Sequence, residues 1–131
     1  MNYWFTGPNL PSSAGVARRW VSDLLRHNGH ALLVDRAELC TSELVANAHL
    51  HTCSRVITVE VSLVAARVLV RVHDDAPDRE PQRRATWADP GVLGCSGRGL
   101  GLVGILADAW SVESGPASKY VWFALDAPGA K

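Results

Sequence analysis

Net charge is what this chain has least of: thirteen Lys and Arg cancel thirteen Asp and Glu. With no field of one sign to draw a polyanion, direct binding to nucleic acid or to an anionic membrane surface is not expected. Long apolar runs are missing too. The longest, Val56 to Val72, is broken by Glu60, Arg67 and Arg71, and no basic segment followed by an apolar one opens the chain. A membrane span and an export signal are therefore not expected, and the cytoplasm is the expected location. Cys40, Cys53 and Cys95 are odd in number and form no C-x-x-C, which argues against a disulfide framework and for reduced thiols packed as small apolar groups. Gly-Lys-Ser/Thr is absent, which excludes a Walker loop. Repeats and low-complexity tracts are absent as well.

What is present is 131 residues with 47% hydrophobic content, enough for one domain (1–131) with a real core. Tyr3-Trp4-Phe5-Thr6, stopped by Gly7-Pro8, reads as a brief strand. After Pro11, Ser12 or Ser13 can cap a helix that Asn28-Gly29 ends, and Asp35 is the expected cap of a second helix reaching about His51. From Arg55 to Asp74 the hydrophobic period changes to two. Ile57, Val59, Val61 and Leu63 share one strand face, Val68, Val70 and Val72 share one on the next, and any even-length turn near Ala65-Ala66 aligns them. Residues 75–96 are rich in Pro, Asp and Arg without periodicity, as functional lids often are. Gly97 to Leu102 then opens an apolar helix ending near Ala107, and Trp110 to Ser114 with Tyr120 to Leu125 reads as a last hairpin around Gly115-Pro116.

Three polar positions stand out against this pattern. At about 100° per residue, Glu43 and Asn47 fall on the helical arc made by Ala37, Leu39, Cys40, Leu44, Ala48 and Leu50, so both are expected to point inward. A buried carboxylate without a cation costs several kcal/mol, roughly, so a ligand or metal is the expected partner. Asp74 closes the apolar face of its strand, whereas His73 lies on the other face and is expected to be solvent-exposed. A separate feature is the turn Gly97-Arg98-Gly99-Leu100-Gly101, whose backbone N–H groups can approach an anion such as phosphate at a helix start.

Glu43-x-x-x-Asn47, then Asp74-Asp75-Ala76-Pro77, then Gly97-x-Gly99-x-Gly101 follow the order of the N, G1 and G2 boxes of the GHKL, or Bergerat-fold, ATPases, and the chain resembles that superfamily. Within it, Ser42 to Thr52 and the ending Lys119-Tyr120-Val121-Trp122-Phe123 look most like the small anti-sigma-factor serine kinases of bacterial partner-switching systems. The resemblance implies a two-layer α/β sandwich with a mixed, mainly antiparallel sheet and helices on one face. It implies ATP and Mg²⁺ as cofactors, with Asn47 holding the metal and Glu43 acting as catalytic base. Asp74 would accept from the adenine amino group, a donor that guanine lacks at that position. Ala76 stands where the family's G1 box has a glycine and joins Gly97, Arg98, Gly99, Leu100 and Gly101 around the nucleotide, with residues 75–96 as the lid. Implied partners are a sigma factor and an anti-anti-sigma protein, and a homodimer is implied too. The activity would be an ATP-dependent protein serine kinase; the alternative is a nucleotide-gated binding module with little turnover. Asp74→Asn is expected to weaken ATP binding and narrow the preference over GTP, as measured by calorimetry with both nucleotides.

Overall fold

The computed structural model describes residues 1–51, 55–74, 101–114 and 119–128. Strand β1 (Asn2–Pro8) is followed by helix α1 (Ser13–His27), a 3₁₀ turn at Ala31–Leu33 and helix α2 (Val34–His51). Strands β2 (Val56–Val64) and β3 (Arg67–Asp74) form a hairpin, residues 101–106 are helical, and β4 (Ala109–Ser114) and β5 (Lys119–Asp126) complete the sheet. Strand order is β1-β2-β3-β5-β4, and each described pairing is antiparallel, so no mixed pairing is seen among the described residues.

Local chemistry explains the element boundaries. Ser12 holds the N-cap position of α1 but makes no side-chain cap bond. Ser13 does the work instead: its hydroxyl accepts from the Leu10 N–H at 3.0 Å and donates to the Pro8 carbonyl, folding the chain from β1 into the helix. At the other end, Gly29 takes φ +81 and the His30 N–H reaches back to the Leu25 carbonyl at 2.8 Å, closing the last turn in a Schellman arrangement. Asp35 does not cap α2. The helix begins one residue earlier, out of the 3₁₀ turn, and Asp35 sits in its first turn, where a carboxylate still favours the helix dipole.

Parity places the core. The two-residue turn Ala65-Ala66 sets Leu63 opposite Val68, Val61 opposite Val70, Val59 opposite Val72 and Ile57 opposite Asp74. β5 continues the rows with Leu125, Phe123, Val121 and Lys119. The inner sheet face is thus apolar over three rows, with Val59, Val61, Val68, Val70, Val72, Val121, Phe123 and Leu125 buried, and Ile57 is buried in the fourth. Against it lie Ala17, Val21 and Leu25 of α1 and Ala37, Cys40, Leu44, Val45 and Ala48 of α2. Each fully buried Val, Leu or Phe contributes about 1.5–3 kcal/mol.

The outer face is not a plain solvent face. Glu60 is only 7% exposed there, within 3.3 Å of Arg71 and 3.4 Å of His73. His73 is therefore not a free strand histidine: its ring also lies 5.0 Å from that of Tyr120 and 6.3 Å from that of Trp4. Among the tryptophans, Trp20 packs on Phe5 at 5.5 Å, whereas Trp4 is largely exposed rather than core.

Ala65 carries the β2–β3 turn at φ 52, in the left-handed region. That conformation costs a non-glycine residue about 1–2 kcal/mol, while glycine's extra chain entropy costs about 0.5–1 kcal/mol. Ala65→Gly is accordingly expected to stabilise the domain by up to about 1 kcal/mol, seen as a higher urea midpoint with an unchanged slope.

Candidate nucleotide site

Helix α2 crosses the sheet in a direction that its hydrogen bonds define. Near its start, Arg36 donates to the Leu106 carbonyl at 3.0 Å and lies 3.8 Å from Asp108. The Asp108 N–H binds the Ala124 carbonyl and its carboxylate accepts from the Asp126 N–H, anchoring this end of α2 to the Arg67–Asp126 end of the sheet. Near its finish, His49 Nδ1 hydrogen-bonds Asn9 Oδ1 at 2.7 Å, and the Asn9 N–H donates to the Arg55 carbonyl at 3.0 Å. Asn9 follows the Pro8–Val56 and Gly7–Ile57 pairs, and Ile57 is aligned with Asp74. The second half of α2 and Asp74 therefore lie at the same end of the molecule.

Around α2 the buried arc runs through Ala37, Cys40, Thr41, Leu44, Val45, Asn47 and Ala48. Leu39, expected inside, is largely exposed, so the arc is centred further round the helix than the spacing alone implies. Glu43 is consequently half-buried on its flank rather than sealed in the core, which gives its carboxylate access to an incoming group. Asn47 is buried, and its Nδ2 donates to the Glu43 carbonyl at 3.0 Å. Only a nitrogen can donate there, so Oδ1 is the end of the amide left for a ligand. An amide oxygen is a hard donor of the kind that Mg²⁺ accepts beside phosphates and waters. Among the described residues no group of three His, Cys, Asp or Glu is placed to hold a metal.

Asp74 occupies the last position of β3 on the inner face, as strand parity implies, and its backbone is all that is described. Gly101 is helical and exposed; Ala76, Gly97, Arg98, Gly99, Leu100, the proposed lid 75–96 and Gly115-Pro116 lie outside the described residues, as do Cys53, Cys95 and Trp87. Lys119 begins the Lys119-Tyr120-Val121-Trp122-Phe123 ending. It is aligned directly with Asp74 in the β3–β5 ladder, and the series Lys119, Val121, Phe123, Leu125 carries the signal in its own alternation.

These elements define a class: a two-layer α/β domain with an antiparallel sheet, two helices across one face, and an acid–amide pair on the helix that reaches the Asp74 end of the sheet. The model of the histidine kinase-like ATPase domain matches residues 7–125, and the chain belongs to that family, within the GHKL superfamily. It is an ATP-binding domain by that membership. A comparison with curated proteins returns no match. Among the described residues no helix is long and apolar enough to cross a membrane.

Cys40 is fully buried one turn before Glu43, and burial pushes its thiol from 9.0 up to about 11, with Arg36 pulling it down and Glu43 adding a smaller push upward. Between those values the folded thiol keeps a proton that the unfolded one loses, so this group's contribution makes stability fall as pH rises from 9 to 11. Cys40→Ala is expected to flatten that part of a stability-versus-pH curve obtained by urea unfolding.

Proposed function

We propose that this domain is an ATP-dependent protein serine kinase that also holds a sigma factor, and that phosphorylating an anti-anti-sigma protein decides which partner it binds. The carrying observation is the coupling of Glu43 and Asn47 within one turn of α2. Asn47 is tied to the Glu43 carbonyl by its nitrogen, which orients its oxygen, while no described side chain donates to the Glu43 carboxylate. An acceptor left free at the rim of a nucleotide site suits a base that takes the proton of an attacking hydroxyl. The Ser42 to Thr52 stretch, which resembles the anti-sigma serine kinases, supports the choice of a partner's serine as that hydroxyl.

Asn47 would hold Mg²⁺ through Oδ1, and the bound ion would neutralise charge on the ATP phosphates. The chain's own part is positional. Helix α2 keeps base and metal ligand one turn apart, and its anchors at Arg36 and His49 hold that turn against the sheet. Phosphoryl transfer asks mainly for such positioning and charge neutralisation, so a small domain suffices.

Glu43→Ala is expected to retain ATP binding and to lower phosphotransfer to a purified anti-anti-sigma protein about 100-fold or more, measured with labelled ATP. Equal turnover in wild type and variant would overturn the kinase reading, and ATP binding without transfer in the wild type would favour a nucleotide-gated binding module. Asn47→Ala is expected to remove the Mg²⁺-dependent part of ATP binding, seen by calorimetry with and without the metal, at a stability cost of about 1 kcal/mol.

A further inference from the structure

One flank of α2 carries more than the acid–amide pair. At about 100° per residue, Arg36, Cys40, Glu43 and Asn47 recur at i, i+4, i+7 and i+11 and fall within one narrow stripe. Arg36 and Glu43 both act on the charge of the Cys40 thiol between them, in keeping with that alignment. At the start of the stripe Arg36 meets a second element. Its Nη1 donates to the Leu106 carbonyl at 3.0 Å, at the end of the helix 101–106, and lies 3.8 Å from the Asp108 carboxylate. The last carbonyls of a helix have no partner within it, and a guanidinium there also suits the helix dipole. At the other end of the same short helix stands Gly101. Its φ is not positive, and a Cβ added to it would meet nothing within 4 Å. Glycine weakens a helix, and among the described residues neither conformation nor packing calls for one here, so the space beside it is open to a group from outside the chain.

We propose that Arg36 is a positioning residue for the nucleotide site: by fastening the end of the helix 101–106 to α2, it sets the distance between Gly101 and the Glu43–Asn47 pair, and with it the fit of the ATP phosphates between the two helices. The proposal rests on the nucleotide reading of Asn47 and Gly101 given above. At about 1.5 Å per residue, Asn47 lies about 16 Å beyond Arg36 along α2, and Gly101 lies about 7 Å back from Leu106. Both spans are continuous helix, and a rigid element passes a displacement at one end to the other. Asp108 completes the fastening on the sheet side, since its Oδ2 accepts from the Asp126 N–H at 2.7 Å and its own N–H donates to the Ala124 carbonyl at 2.9 Å. Arg36 thus joins the helix 101–106, α2 and β5 at one point. Its side chain is 36% exposed, so removing the guanidinium frees the helix end without opening the core. In this reading the adenine is read from the sheet, at Asp74, and the phosphates from the two helices. Loosening the joint therefore reaches phosphate binding and spares the base.

The test measures MgATP and adenosine separately on the full chain by calorimetry, with folding followed by circular dichroism and urea unfolding. Arg36→Met is expected to weaken MgATP binding about tenfold and to leave adenosine binding within about twofold of wild type. Arg36→Lys, which keeps a cation and a donor for the Leu106 carbonyl, is expected to recover most of the MgATP loss. Arg67→Met breaks the Arg67–Asp126 pair at the same end of the sheet and is expected to change neither affinity. Unchanged MgATP affinity in a folded Arg36→Met protein would overturn the proposal and leave ATP binding standing. An equal loss of MgATP and adenosine, or the same loss in Arg67→Met, would overturn it too, since either marks a general loosening of the domain. Should Arg36→Met fail to fold, Arg36→Gln, which keeps a donor without the charge, makes the same comparison. A wild-type chain that binds neither ligand would reject the nucleotide site itself, and this role with it.

Discussion

The register of the β2–β3 hairpin is the constraint from which the rest of the molecule follows. Two residues, Ala65 and Ala66, connect the strands, so odd-numbered β2 residues meet even-numbered β3 residues on one face. A slip of one position would turn Val68, Val70 and Val72 to the outer face and bring Arg71 and His73 against the helices. It would also move Asp74 out of the inner face. The apolar rows therefore enforce the position of the acid: the burial that holds the hairpin in register is what delivers Asp74 to the end of α2.

Helix α2 has a second set of constraints, polar rather than apolar. Its buried stripe packs on the sheet, but Arg36 at one end and His49 at the other tie it to opposite ends of the β-layer. On its rim, Arg18 of α1 donates to Ser42 at 3.4 Å and Ser22 donates to Glu38 at 2.5 Å, so the two helices are joined by side chains just before Glu43. Glu43 and Asn47 thus stand on a segment braced from three directions. The roles proposed for them, base and metal ligand, would gain from such bracing, because small displacements of positioned groups are costly to rate.

Much of this was legible in the sequence, for reasons that differ from residue to residue. The hairpin parity was readable because strand alternation is strict, and it located the turn, the aligned faces and Asp74 together. The α2 arc was less legible. Helical spacing gave the stripe Ala37, Cys40, Leu44 and Ala48, but its centre is set by packing on both α1 and the sheet, which turned Leu39 outward and left Glu43 at the margin. The start of α2 was misread because a 3₁₀ turn has no spacing signal of its own, and the histidine at 73 was misread because Glu60 lies thirteen residues away in sequence. The alignment of Lys119 with Asp74 was not legible, because that register appears only when β5 is paired with β3.

The two-layer construction has one more consequence. Glu43 and Asn47 ride on the helical layer, whereas Asp74 belongs to the sheet, so what lies between them is set by interlayer packing and by the Arg36 and His49 hydrogen bonds at the two ends of α2. Shear of α2 along the sheet would change the separation of these positions and strain both of its polar anchors at once. A ligand that touched both layers would therefore add a third fastening to the two that the chain supplies itself.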